Sequence, residues 1–218
     1  QNMKSTLRVA LLIGFLSQSA FAQTLQCQAV PSLLNVFLSN HFSVNQLNAE
    51  VKTRTINLFL KSIDGNKHLL YKKDVAKIQS GLNNFFDTMK KGDCSELNDI
   101  NAILVERAQE NLNIVAEKLK NNFALKDDTR FQTDTKKRNY PIDLEEKKKM
   151  LDAAIQTQIA TITAGDVKVE KAKEQLTKRY ELSLKRAKEM NQGKMISYFA
   201  ESFAHSLDPH SDYFPPEQ

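Results

Sequence analysis

The chain has 218 residues and a formal net charge of +5. It is 41% hydrophobic and 26% charged, with no tryptophan. That length can bury a core and suits one or two domains, and the scarcity of Gly and Pro suits a soluble helical protein. Lys4 and Arg8 hold two of the positive charges, and the excess left over is too small to argue for a nucleic-acid partner.

Residues 1 to 22 read as a secretory signal. Met3-Lys4 and Arg8 form a positive start, and Val9 to Leu16 form a short apolar region. Ala20 and Ala22 are the small residues that precede a cleavage site after Ala22. Gln1-Asn2 precede the natural start at Met3. The apolar region is too short for a stable membrane span. An exported, periplasmic chain is expected, and a buried N-terminal helix is the plainer alternative.

The chain contains two cysteines, Cys27 and Cys94. In an exported protein they invite a disulfide, and two buried thiols are the other reading. Neither stands beside a His or another Cys, so zinc and CxxC redox roles are not expected.

The helices follow in order. Ser32 to His41 is a short apolar helix. Leu47, Val51, Leu58, Phe59 and Ile63 form a helical stripe that Asp64-Gly65-Asn66 ends. His68 to Tyr71 is a connector. Asp74 then caps a helix whose inner face is Val75, Ile78, Leu82, Phe85, Phe86 and Met89. Gly92-Asp93 is a break, and Asp93 with Glu96 has capping-box spacing. The longest helix carries Leu97, Ile100, Leu104, Ala108, Leu112, Val115, Leu119 and Phe123 at spacings of three and four.

Residues 126–141 read as a mobile, solvated loop with a basic run at Lys136-Lys137-Arg138. Asp143 caps the next helix, with Leu144, Leu151, Ile155, Ile159 and Ile162 inward, and Gly165-Asp166 ends it. Val169, Ala172, Leu176, Tyr180, Leu184 and Ala187 give another stripe. After a turn at Asn191-Gln192-Gly193, the last helix packs Ile196, Phe199, Ala200, Phe203 and Leu207. No segment alternates long enough for a strand. The expected fold is all-α, with six or seven amphipathic helices over residues 23–207.

Residues 208–218 stop the last helix. Pro209 has no N–H and disfavours the α conformation at Asp208. Asp208 and Ser211 suit a compact turn, and Pro215-Pro216 favour an extended path. Asp208, His210 and Ser211 are the letters of a hydrolase triad, but three residues in one short turn cannot converge on a reacting atom from separate directions. His205, Asp208, His210 and Asp212 are possible metal ligands in a short span, without a helical HExxH pair. Local capping and hydrogen bonding is the preferred reading of these groups.

The run Leu207-Asp208-Pro209-His210-Ser211-Asp212-Tyr213 resembles the junction of tail-specific proteases, the carboxyl-terminal processing peptidases. Leu207, Asp208, Pro209, His210, Ser211 and Tyr213 fill each position of the hydrophobic-D-P-H-[ST]-x-Y pattern. Leu176 to Tyr180 and Lys185-Arg186 are similar to the helix before that junction, and a weaker likeness runs from Leu33 to Asp166. It also puts a long, variable connection near 126–141.

The resemblance implies a serine endopeptidase with a Ser–Lys dyad. It also implies a PDZ domain that captures apolar C-termini of protein substrates. Both parts follow the junction in the family, so the chain is expected to be the N-terminal helical domain of such an enzyme. That domain would frame a substrate cavity and meet an adaptor protein. No catalytic residue, cofactor or metal is assigned to it, and the sequence shows no phosphate loop or GxSxG elbow. The alternative is a stand-alone periplasmic helical protein with a binding or chaperone-like role.

Overall fold

The computed structural model describes residues 25–120, 123–126 and 134–213. Seven α-helices and no strand are found among them. They are α1 (Val30–Asn40), α2 (Ala49–Asp64), α3 (Lys72–Thr88), α4 (Ser95–Lys120), α5 (Leu144–Thr163), α6 (Val169–Glu189) and α7 (Gln192–Leu207). The all-α expectation holds. The signal segment with Ala20 and Ala22 lies outside the described residues, as do Phe214 to Gln218.

Local chemistry sets the helix starts. Asn48, Asp143 and Asn191 each accept an N–H from the residue three further on, Val51, Glu146 and Lys194, at 2.9 Å. These side chains satisfy amides that a helix start leaves without partners. Three expected starts differ from those observed. Asp74 is not the cap of α3 but its third residue, and its carboxylate accepts the N–H of Tyr71 at 3.0 Å. Asp93 and Glu96 make no reciprocal box. Asp93 takes the N–H of Ser95, whereas Glu96 reaches across to Asn84 on α3. The turn read at Asn191-Gln192-Gly193 shortens to Asn191, because α7 already begins at Gln192.

Two cores organise the molecule. The larger joins α1, α2, α3, α7 and the first half of α4. Its centre is aromatic: the Phe199 ring lies 4.9 Å from that of Phe85 and 5.3 Å from that of Phe86, both edge-on. The smaller core holds Val115 and Leu119 of α4, Ile155 and Ile159 of α5, and Ala172 and Leu176 of α6. α4 serves both. Its 26 residues reach about 39 Å at 1.5 Å per residue. Ala108, Leu184 and Ala187 form a third, small cluster between α4 and α6.

Several expected inward positions turn outward. Leu58 is only half-buried, while Thr55 and Ile56 are buried beside Phe59. Leu144 is 42% exposed and Val169 is 37% exposed. Both are the first residues of their helices. Leu112 is half-buried and Asn111 takes the buried place beside it.

The loop over 126–141 is pinned at both of its described ends. Gln156 accepts the N–H of Lys126 at 3.0 Å and donates to Ala124 O at 3.1 Å. Pro141 O accepts the N–H of Lys72 at 2.9 Å. Arg138 is not solvated as its basic run suggested. It is 7% exposed, and its guanidinium meets Asn66 O and His68 Nε2.

Candidate functional site

The junction grows directly from α7. Phe199 and Phe203 bury the inner face of this helix, so its end is fixed against α1 and α2. Ser206 adds a polar tie: its hydroxyl lies 2.9 Å from that of Thr55 on α2 and donates to Phe203 O. Leu207 ends the helix and is buried. Asp208 leaves it with extended backbone angles, and its N–H still reaches Ala204 O at 3.3 Å. Pro209 removes the next donor.

A tight turn follows. The N–H of Ser211 meets Asp208 O at 3.0 Å, and the N–H of His210 meets Asp208 Oδ1 at 2.9 Å. Asp212 Oδ1 stands 3.4 Å from His205 Nε2, one helical turn from Glu201, whose carboxylate is 3.9 Å from the same nitrogen. Tyr213 lies against Ser197, and burial raises its phenol above the usual range. The chain thus doubles back along the outer stripe of α7 formed by Ser197, Glu201 and His205.

Asp208, His210 and Ser211 are brought together by main-chain bonds to Asp208. The structure shows no relay between their side chains. Of the four candidate ligands His205, Asp208, His210 and Asp212, the structure brings the side chains of His205 and Asp212 together, 3.4 Å apart. No group of three or more His, Cys, Asp or Glu among the described residues has metal-binding geometry. Cys27 and Cys94 lie away from the junction. Their sulfurs are joined at 1.98 Å with Cα atoms 5.9 Å apart, which ties the turn before α1 to the segment before α4.

A buried charged cluster is the feature that sequence reasoning missed. Lys147 of α5 donates to Glu110 Oε2 of α4 and to Leu69 O, both at 2.8 Å, with none of its side chain exposed. Arg107 Nε meets Asp74 Oδ2 at 2.8 Å, and Tyr71 donates to Glu110 Oε1 at 3.0 Å. The Tyr71 ring packs under both cations, 4.4 Å from Lys147 Nζ and 4.9 Å from the Arg107 guanidinium carbon.

Burial holds the Lys147 ammonium below the usual lysine range against the pull of Glu110. Burial also pushes the Glu110 carboxyl up, but Lys147, Tyr71 and Arg107 together hold it low. Burial and Glu110 raise the Tyr71 phenol. A signal for Lys147 did exist. It stands four residues before Leu151 and eight before Ile155, in phase with the apolar stripe of α5.

The connector beside this cluster is closed by Asp64. Its buried carboxylate accepts the N–H groups of His68 and Leu69 at 3.0 Å and of Leu70 at 2.8 Å. Burial pushes this carboxyl up to about 6, against those bonds and Lys147. Burial, then the Arg138 charge, lowers the His68 imidazole to about 4. The arrangement can hold a loop and a helix end in one geometry. It offers no nucleophile paired to a base.

Two comparisons agree with this geometry. A family profile described as the tail specific protease N-terminal domain matches residues 33–217. A tail-specific protease of Haemophilus influenzae is 22% identical over 178 residues, covering 81% of this chain and 26% of that relative. The chain thus spans about a quarter of the relative's length. The match begins within α1 and runs on through α7 and the turn at Asp208, and the chain belongs to the tail-specific protease N-terminal domain family.

Proposed function

We propose that this chain is the helical N-terminal domain of an exported serine endopeptidase that processes or degrades proteins from their C-termini. The observation that carries the reading is the family match over residues 33–217, which takes in the turn that ends α7. The Ser–Lys dyad and the PDZ domain of the resemblance belong to sequence after this domain. The domain itself contributes no catalytic group. It frames the substrate cavity and offers surface to an adaptor, while the parts after it take protein substrates with apolar C-termini. A periplasmic location follows from the signal-like start, and no described helix is long and apolar enough to cross a membrane.

The test compares the full reading frame with residues 23–218 alone. Both are given an unfolded protein ending in apolar residues and a copy ending in charged ones. The full-length protein should degrade the first substrate and spare the second. The isolated domain should be inert towards both. Failure of the full-length protein to cleave either one overturns the proposal.

A further inference from the structure

Among the described helices, α1 alone lacks Asp, Glu, Lys and Arg. The gap is wider than the helix. No such residue occurs from Leu25 to Ala49, in a chain that is 26% charged. One side of this stretch is fastened to the domain. Val30, Leu34 and Leu38 are buried, Cys27 is joined to Cys94, and Val44 and Leu47 lean on the first core.

The other side is uncovered. Val36 is 57% exposed on α1. Phe42 stands fully exposed on the turn after it. That turn is closed by His41, whose Nδ1 accepts the N–H of Val44 at 2.9 Å and that of Ser43 at 3.3 Å. Phe42 is thus held outward by a made turn. A hollow of about 480 Å³ opens beside α1, with Leu38 and Leu47 in its wall and Lys52 and Lys90 also lining it. Loss of charge around an exposed aromatic side chain is the composition of the core of a protein interface.

We propose that α1 and the 41–48 turn are the seat on which the continuation of this same polypeptide docks, with Phe42 as the anchor and an uncharged, apolar patch as its counterpart. The inference rests on the proposed function, which puts further sequence after this domain; the chain spans about a quarter of its relative's length. Position favours this occupant. α1 lies against α7, the helix that hands the chain on, and the Phe37 ring meets that of Phe203 edge-on at 6.3 Å. Phe203 is one turn before Leu207, where α7 ends. Sequence that follows Tyr213 is therefore tethered close to this face. A short tether raises its local concentration to roughly millimolar, well above that of a second copy in dilute solution. Charge favours it too. A partner arriving from solution gains speed and register from complementary charge, which this face does not carry, whereas a tethered one needs neither.

The test is thiol labelling of Ser43→Cys in the purified full-length protein. Ser43 is exposed beside Phe42, and Cys27 and Cys94 are paired, so in this domain the new thiol is the one that reacts. Native labelling should be at least about tenfold slower than that of the unfolded, unreduced chain, as for a site reached only by local opening. The slow rate should persist on dilution, with the protein monomeric by light scattering. Adding Val36→Ser and Phe42→Ser should restore fast labelling. Both side chains are largely exposed within the domain, so circular dichroism should show its helices unchanged.

Fast labelling of native Ser43→Cys overturns the proposal. So does slow labelling that dilution abolishes, which marks a second copy, and slow labelling that survives the loss of Val36 and Phe42. The readout needs no peptidase activity. A protein that cleaves as expected while Ser43→Cys labels freely keeps the proposed function and loses this inference. Protection in an inactive protein does the reverse.

Discussion

Lys147 Nζ and Glu110 Oε2 lie 2.8 Å apart, and the Lys147 side chain has no exposure. The pair joins α5 to α4 across the Tyr71 ring, and it fixes where the segment after residue 134 returns to the first core. A buried charge persists only with partners, and here Glu110 and Leu69 O supply them. Removing the cation while leaving the carboxylate in place is therefore costly. Lys147→Met should destabilise the domain by roughly 3 kcal/mol. Urea unfolding measures this, and Lys147→Met with Glu110→Gln should cost less than the sum of the single changes.

Phe199 is the centre of the first core, in edge contact with Phe85 and Phe86. Phe199→Ala leaves a cavity that three helices cannot easily close. The expected loss is about 3–5 kcal/mol by thermal or urea unfolding. A loss below about 1 kcal/mol would mean that the core repacks.

Asp64 and His68 make opposing contributions to stability against pH. The folded Asp64 carboxyl, raised to about 6 from 3.8, favours folding at low pH and loses that contribution as pH rises through 6. The folded His68 imidazole, lowered to about 4 from 6.5, binds its proton less readily than in the unfolded chain. Its contribution is lost as pH falls from 6.5 towards 4. The two largely cancel between pH 4 and 6. His68→Gln removes one side of the balance. From pH 6 to pH 4 its stability should therefore rise relative to that of wild type. Parallel pH profiles for the two proteins would contradict the assignment.

Cys27 and Cys94 should be paired in protein taken from an oxidising compartment, so labelling of unfolded, unreduced protein should find no free thiol. The sequence separation is 67 residues. Closing a loop of that length stabilises by about 4 kcal/mol on the chain-entropy account. Cys27→Ser with Cys94→Ser should lower the unfolding free energy by a similar amount. Two labelled thiols per chain would refute the pairing.

The helices were legible because burial repeats every three or four residues, and that repeat is local. Ile78, Leu82, Phe85 and Phe86 announce α3, and Ile155 and Ile159 announce α5, without knowledge of any neighbour. The helix stop at Asp208-Pro209 is local too, since the missing N–H of proline and its clash with the preceding residue act within two positions. What stayed hidden depends on partners far along the chain. Lys147 reads as one of three consecutive lysines until Glu110, 37 residues earlier, arrives beside it. Arg138 reads as part of a solvated basic run until Asn66 and His68 close over it. Asp74 reads as the cap of α3 until the fold makes it the third residue of that helix and pairs it with Arg107. The sequence by itself determined the amphipathic segments and their ends, because hydrophobic periodicity and turn chemistry are written in adjacent residues. Only the tertiary structure decided which polar groups are buried, because a charge enters a core when distant elements bring it a partner.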